Sequence, residues 1–422
     1  DGSNNFFEGH TLGNTYNGNL TFNVAGSGGL YTSYSVKSNI TGNYTVNRTA
    51  AGLLDLLGTG VTIGGNFSCT KNVGGATLMG LLTQPSTIGG SININITQNP
   101  GDAFRMYRIK NSGAGGSITV TNCQAPNIQQ DSLVLNSFSI NNYHSGAFAY
   151  FYDNNIQGNF STNPDPAFGG GYASYFRSNT ITGDANITNQ SAGGGIFNDA
   201  DASGSGNTFL GNVTYSRTGG SALNVGTGDT NFYAGNVVFN NSPSQPVNAE
   251  MMRFIGSTNT MIDQIGTGSI VIQKPIIAKT SGAKVTLNKP VTASVSCNFV
   301  SGYLSSTSAN PLIFPDNINH SGASDNSHVM GSVLKAGNDL FTFPLGNGMG
   351  YHPIGMTAPA GTTDSFQANI ILNHPSVDGY DVTLKDAALL QIAPYHYWTL
   401  NQISGTNTEA VSLGWSIPCA NT

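Results

Sequence analysis

The chain has 422 residues, of which 15 are Lys or Arg and 21 are Asp or Glu, so its net charge is -6 and only 9% of its residues are charged. An average soluble domain has about 25% charged residues and roughly 7% Gly, whereas this chain has 55 Gly. Exposed helix faces consist mainly of Glu, Lys, Arg and Ala, so this composition argues against a helical protein. The few scattered cations also argue against nucleic-acid binding, which needs a basic stripe.

A repeated segment of the form N-T-Φ-x-G-N-Φ-T-Φ, in which Φ is apolar, organises the first three quarters of the chain. Copies include NTYNGNLTF from Asn14, NNIQGNFST from Asn154 and NTFLGNVTY from Asn207. The glycines that anchor the copies are Gly18, Gly42, Gly65, Gly90, Gly116, Gly158, Gly183, Gly211 and Gly235. A period of about 24 residues is too short for helical repeats or propeller blades. We therefore predict an all-β protein whose main part is a parallel β-helix, a solenoid of about ten coils.

The sequence changes character towards its C-terminus. From about Ser269, alternating segments with Pro at their edges indicate closing coils. A stretch rich in Asn, Ser, Asp and Gly near Asn317–Asn326 is typical of a linker, and the segments after it, such as LFTFPLG and FQANIIL, are short alternating strands. We predict a β-helix domain over residues 1–318 and an antiparallel β-sandwich-like domain, truncated, over residues 319–422.

A second motif predicts an aromatic stripe along the solenoid. FRMYRIKN (Phe104–Asn111), FAYFYDNN (Phe148–Asn155) and YASYFRSN (Tyr172–Asn179) align on their asparagines, which are expected to form a ladder. Neighbouring residues of a strand point to opposite faces, so one aromatic row lies inside and one outside. The rows are Tyr107, Phe151 and Tyr175 against Arg108, Tyr152 and Phe176. We take the second row as a ligand or partner surface, with a purely stabilising cross-strand ladder as the alternative.

Catalytic and metal motifs are weak in this sequence. Glycoside hydrolysis needs two carboxylates about 5 to 9.5 Å apart, and the aspartates are spread over different coils without an Asp-Asp pair. Asp199 and Asp201 are a candidate calcium pair, but they lack the spacing of an EF-hand loop, and a solvated Asp-rich turn is the preferred explanation. We therefore expect no catalytic residues, no resident metal or other cofactor apart from this calcium candidate, and no enzymatic activity.

The four cysteines, Cys69, Cys123, Cys297 and Cys419, have no C-x-x-C spacing, which argues against zinc. In an exported protein they would allow two disulfides in any of three pairings. Buried thiols that act as small apolar residues are the alternative.

Two C-terminal segments carry a family resemblance. SHVMGSVLKAGNDLFTFPLGNGMGYHPIGMTAP (Ser327–Pro359) and YHYWTLNQISGTNTEAVSLGWS (Tyr395–Ser416) resemble segments of large surface proteins of the Bacteroidetes. These look like type IX secretion substrates: long adhesins, often with β-helical repeats similar to the G-N-Φ-T-Φ repeat. The resemblance implies export to the cell surface and transfers no catalytic residue. Such proteins usually continue into further modules, so we expect the chain to be a processed portion.

The sequence thus favours a non-catalytic extracellular structural or adhesive surface protein, either an adhesin stalk or a filament subunit. The expected partners are further copies joined end to end or other surface proteins, with a glycan or the outer-membrane export machinery as further candidates and no nucleic acid. The alternatives are a carbohydrate-active or glycan-binding β-helix protein, similar to polysaccharide lyases and hydrolases, and a component bound to an outer-membrane export complex.

Overall fold

The structure is a computed structural model that describes residues 4–9, 11–81, 83–143, 149–165, 174–189, 196–198, 206–217, 222–241, 244–386, 392–406 and 409–414. It is all β, with 55% strand and 1% helix, and contains a parallel β-solenoid of about 13 turns and a C-terminal antiparallel sheet. The predicted fold class is thereby confirmed, with a few more turns than expected. Among the described residues, no helix has the length and apolar character needed to cross a membrane.

Contacts divide the chain into two compact units. The N-terminal unit comprises Asp1–Asn231 and Phe239–Gln245, and the C-terminal unit comprises Phe232–Val238 and Pro246–Thr422.

Each turn of the N-terminal unit contains three strand positions, and strands at the same position stack in parallel. The first stack is Phe6–Phe7, Leu30–Tyr31, Leu54–Leu56, Thr77–Met79, Ala103–Tyr107, Gln124–Gln129, Ala149–Tyr152, Ser174–Arg177 and Ile196–Asn198. The second stack is Thr15–Tyr16, Ser38–Ile40, Val61–Ile63, Ser86–Ile88, Ile109–Asn111, Thr180–Ile181 and Thr208–Phe209. The third stack is Leu20–Val24, Tyr44–Arg48, Phe67–Lys71, Ile92–Thr97, Ser117–Thr121, Ala185–Asn189 and Val213–Arg217. Ser132–Tyr143 and Asn155–Pro164 run through the second and third positions, and Leu223–Tyr233 and Val237–Asn240 follow.

The C-terminal unit begins with parallel strands and ends with antiparallel ones. The parallel strands are Val247–Phe254, Thr260–Ile265, Ile270–Ala278, Lys284–Leu287, Val291–Ala293, Ser296–Ser301, Tyr303–Ser305, Leu312–Phe314, Asn319–Ser321, Val329–Met330 and Ser332–Ala336. Ser332–Ala336 also pairs antiparallel with Ser365–Ile371, which pairs with Tyr397–Ser404. A second antiparallel sheet joins Phe341–Phe343, Ile354–Met356 and Val411–Leu413, and a short 3-10 helix spans Pro375–Asp378. Parallel pairing therefore continues past residue 318, the predicted end of the β-helix.

The G-N pair of the repeat forms a corner between the second and third stacks. The side-chain Oδ1 of Asn19 accepts from the backbone amide of Asn43 at 2.8 Å, and that of Asn43 accepts from Asn66 at 2.8 Å. A Cβ at Gly65 would lie 2.5 Å from Asn43 Oδ1, so the ladder leaves room only for glycine. Inside this corner, alternate residues of each strand enter the core, as in the buried side chains of Ile92–Thr97.

Candidate binding face on the solenoid

One residue with left-handed backbone forms the corner that follows each first-stack strand. Arg108, Gln130, Asp153 and Ser178 occupy this corner in successive turns, with φ of 53°, 58°, 59° and 52°. The amides of the first three each donate to a carbonyl of the next turn at 2.9 to 3.0 Å. Arg108, predicted as a surface residue, is half-buried, and its Nε donates to Gln130 Oε1. Its side chain is therefore engaged within the corner.

A buried ladder follows this corner directly. Its members in successive turns are Asp131, Asn154, Asn179, Asn207 and Asn231. Asn179 shows the pattern: its Nδ2 donates to Asn207 Oδ1 at 2.8 Å and to the carbonyl of Phe151 at 2.6 Å. Its Oδ1 accepts from the backbone amide and the Nδ2 of Asn154 at 3.1 and 2.9 Å. Amides thus satisfy one another along the axis, which rigidifies the edge of the first stack.

The structure contains the predicted asparagine ladder, but two of the predicted members, Asn111 and Asn155, do not belong to it. Asn155 is exposed and lies one residue after the true ladder residue, Asn154. Asn111 instead bonds the carbonyls of Gly113 and Val134 at 2.9 and 3.1 Å.

The same one-residue shift overturns the prediction that Phe176 faces outward. Phe176 is only 1% exposed, and its ring stacks on that of Phe151 at 4.7 Å with 8° between the planes. The motifs had been aligned on Asn155 and Asn179, whereas the strands pair Phe151 with Phe176. Because side chains alternate along a strand, a shift of one residue exchanges the two faces. Tyr175, placed in the opposite row by the sequence, is therefore half-buried on the outer side and stacks on Tyr150.

Two rows of side chains cover the outer side of the first stack over four turns, and we call these eight residues the binding face. The rows, in turn order, are Arg105, Asn127, Tyr150 and Tyr175, and Tyr107, Gln129, Tyr152 and Arg177. The second turn of the face carries two amides and the third turn two tyrosines, and each end turn pairs one tyrosine with one arginine. Of these eight residues, the predicted surface row contains only Tyr152. The strands pair Tyr150 with Tyr175 and Tyr152 with Arg177, whereas the sequence alignment was shifted by one residue.

The rings of the binding face are held at fixed angles. Tyr150 and Tyr175 stack with centroids 5.7 Å apart and planes at 25°, while Tyr150 meets Tyr152 edge-on at 5.2 Å. Tyr152 is 9% exposed and lies under the guanidinium of Arg177, 4.2 Å from the ring centroid, a cation–π arrangement. Arg177 also lies 4.0 Å from a carboxylate oxygen of Asp153. Beneath the rings, the stacked pair of Phe151 and Phe176 anchors both strands in the core.

The polar groups of the binding face are amides and cations. Gln129 Nε2 donates to Asn127 Oδ1 at 2.7 Å, which orients the two amides towards each other. Arg105 is exposed and has no hydrogen bond or ion pair to any described residue. Burial raises the pKa of the Tyr107 hydroxyl, so this hydroxyl stays protonated as a donor at neutral pH. The face therefore offers hydroxyl, amide and guanidinium donors beside flat apolar rings.

Buried cations are a feature that the sequence analysis missed. Arg48 and Lys71 occupy the same place in successive turns, at the end of third-stack strands, and are 2% and 0% exposed. Arg48 Nη2 donates to the carbonyl of Gly28 at 2.7 Å and its Nε to that of Ala50 at 2.7 Å, while Lys71 Nζ donates to that of Gly75. Burial lowers the pKa of Lys71 to about 8. In the sequence these cations directly follow the repeat segment G-N-Φ-T-Φ-x, as Arg48 does in GNYTVNR, and this position could have indicated them.

The remaining predicted site residues do not join the binding face. Cys69, Cys123 and Cys297 are free thiols in the core, which favours the buried-thiol alternative for these three. Burial raises the pKa of Cys69 and Cys123 to about 12, so both stay protonated and unreactive. Cys419 and the calcium candidates Asp199 and Asp201 lie outside the described residues. Within the described ranges, no group of three or more His, Cys, Asp or Glu side chains is arranged to hold a metal ion.

The fold defines the chain as a parallel β-solenoid protein. None of the protein-family models, curated proteins or solved structures with which the chain was compared matches it. A solenoid supports many unrelated activities, so the function depends on particular residues and not on the fold alone.

Proposed function

We propose that the chain is a non-catalytic structural and adhesive protein of the cell surface, an adhesin stalk or filament subunit exported as a type IX secretion substrate. The observation that carries this proposal is the set of ladders along the axis of the N-terminal unit. Parallel strands, the Asn19–Asn43–Asn66 corner and the buried ladder from Asp131 to Asn231 all bond one turn to the next. Bonds in that direction resist extension along the axis, as a stalk requires.

The use of charged residues in the N-terminal unit also supports a structural role. Glu8 is buried, and its carboxylate accepts from Asn14 Nδ2, Ser33 N and Ser38 Oγ, each at 2.7 Å. Arg48 donates to backbone carbonyls, and Lys71 donates to backbone carbonyls and the hydroxyl of Thr77. These buried charges are paired with groups of the fold itself, which is the arrangement expected of structural charges.

The first experiment is localisation. Cells that produce the protein are treated with a membrane-impermeant amine-reactive biotin reagent, and the protein is then captured on streptavidin. We expect labelling on intact cells equal to that after lysis, with a cytoplasmic enzyme as the unlabelled control. Labelling only after lysis would refute the surface assignment.

The second experiment concerns the non-catalytic role and the assembly. Purified protein is imaged by negative-stain electron microscopy and incubated with neutral and acidic polysaccharides, whose chain lengths are followed by size-exclusion chromatography. We expect rods or filaments and unchanged polysaccharide lengths. Shortened polysaccharide would overturn the proposal in favour of a carbohydrate-active enzyme.

A further inference from the structure

We propose that the binding face recognises an acidic glycan, a polysaccharide bearing carboxylate or sulfate groups, laid along the axis across four turns. The inference rests on the proposed surface function, since it names the ligand that the surface protein would hold. Its evidence is the two rows that begin with Arg105 and Tyr107 and end with Tyr175 and Arg177.

The aromatic part of the face suits sugar rings. A pyranose has flat patches of C–H bonds that pack on an aromatic ring, while its hydroxyls need hydrogen-bond partners around the ring. Tyr150 and Tyr175 lie on neighbouring turns and stack on each other, so a sugar would pack on the outer side of this pair of rings. The amides of Asn127 and Gln129 lie on the adjoining turn at the same strand positions. The aromatic rings would pack against the sugar ring, and the neighbouring amides would form hydrogen bonds with its hydroxyl groups.

The charge of the face selects an acidic ligand over a neutral one. The chain as a whole carries a net charge of -6, yet this face has Arg105 and Arg177 and, at its border, the exposed Lys110. One carboxylate, that of Asp153, lies beside Arg177, and the buried Asp131 acts on Tyr107. Guanidinium groups pair with carboxylate and sulfate oxygens in a bidentate manner, and Arg105 has no other partner among the described residues. A local positive charge on an acidic protein attracts anions.

The face is also preorganised, which reduces the entropy lost on binding. Phe151 and Phe176 stack directly beneath it, the buried ladder of Asn154 and Asn179 fixes its edge, and the guanidinium of Arg177 is held over Tyr152. The side chains are therefore held in place before a ligand binds.

The test measures binding of the purified full chain to immobilised polygalacturonate by biolayer interferometry, with heparin as a sulfated probe and dextran as a neutral probe. We expect polygalacturonate or heparin to bind, with an affinity that falls as salt rises from 50 to 500 mM, and dextran to bind at least about tenfold more weakly, since the ion pairs supply the difference. Equal binding of dextran, or binding insensitive to salt, would overturn the acidic specificity. Lack of binding to all three probes would overturn the glycan proposal and leave a protein partner as the occupant.

Variants locate the site. Arg105→Ala should weaken polygalacturonate binding about fivefold, and Tyr175→Ala should weaken it by a similar factor, whereas Tyr175→Phe retains the ring and most of the affinity. Lys37→Ala removes an exposed cation elsewhere in the same unit and is the matched control. Far-ultraviolet circular dichroism and the melting temperature confirm that each variant is folded. Equal losses in Lys37→Ala and Arg105→Ala would show non-specific charge attraction and refute the site.

The outcomes separate this inference from the surface function. Binding is measured on purified protein, so it does not depend on where the protein resides. Surface labelling without glycan binding refutes only the ligand, and glycan binding without surface labelling refutes only the location.

Discussion

Asp131 and Asn154 occupy the same position in successive turns of the solenoid, and the amide of Asp131 donates to Asn154 Oδ1 at 3.1 Å, as the amide of Asn154 does to Asn179 Oδ1. An aspartate thus begins a ladder whose next members are asparagines. Its Oδ1 accepts from the amide of Ile109 at 2.6 Å, while its Oδ2 is buried and has no hydrogen-bond partner among the described residues. In the asparagines, the corresponding Nδ2 donates to a carbonyl of the preceding turn, such as that of Ile128.

Asp131→Asn should therefore stabilise the protein at neutral pH by about 1 to 3 kcal/mol, the range for satisfying a buried polar group. Burial raises the pKa of Asp131 well above its usual value of 3.8, so the folded state holds a proton that the unfolded state loses above about pH 4. The contribution of Asp131 is complete below that pH and declines as pH rises towards its folded pKa. Urea unfolding of both proteins at pH 4 and pH 8 measures this. A difference in stability that does not grow with pH would contradict the assignment.

Asn179→Ala should lower the free energy of unfolding by about 2 to 4 kcal/mol, because it leaves groups of Asn154, Asn207 and Phe151 without their bonds inside the protein. Asn155→Ala is the matched control, since Asn155 is exposed and one residue from the ladder. Urea denaturation compares the two. A larger loss in Asn155→Ala would mean that the register is shifted by one residue.

Gly65→Ala should destabilise the N-terminal unit by about 1 to 3 kcal/mol through overpacking, since the new Cβ would lie 2.5 Å from Asn43 Oδ1 and 2.9 Å from the Gly42 carbonyl. Gly101→Ala meets no atom within 4 Å and should be neutral or slightly stabilising. Melting temperatures of the two variants provide the comparison, and equal values would show that the corner tolerates a side chain.

Acid should open the antiparallel part of the C-terminal unit. The rings of His352 and His396 lie 4.3 Å apart in the interior, and burial lowers the pKa of each, with mutual repulsion contributing at His352. His328 and Asp325 also act on His352, in opposite directions. Because the folded pKa values lie below the unfolded value of 6.5, their contribution to stability is complete above pH 6.5 and is lost as pH falls.

Tryptophan fluorescence can follow this opening, because the Trp398 indole donates to the carbonyl of His352 at 2.8 Å and contacts both imidazole rings. We expect the emission to shift to longer wavelength as pH falls below the unfolded value of 6.5 and through the lowered pKa values of the pair, since the two rings then become charged. His396→Phe should move the transition to lower pH, and His374→Gln, at a site outside the pair, should leave it in place. An unchanged midpoint in His396→Phe would exclude the histidine pair as the cause.

The sequence predicts the solenoid because glycine and asparagine recur at corners, where backbone geometry leaves few alternatives. It underestimates the number of turns, since the parallel strands from Val247 to Ala336 have lost most of the G-N signal. The aromatic stripe has the predicted strands, but the prediction placed Phe176 and Tyr175 on the wrong sides, because it aligned Asn155 rather than Asn154 with Asn179. What sets the register is the left-handed residue, Asp153 or Ser178, and several residue types adopt that conformation at this corner. The residue type alone therefore does not identify the position of the left-handed residue.

The buried cations have a consequence for proteolysis. Five of the 15 lysines and arginines are enclosed in the fold: Arg48, Lys71, Arg217, Lys279 and Lys335. Trypsin-like proteases cleave after these residue types and need an extended, accessible segment to do so. A third of the lysines and arginines are therefore inaccessible to such proteases for as long as the turns stay stacked. Because these lysines and arginines are buried in the fold, a protease has fewer accessible sites at which to start cleavage.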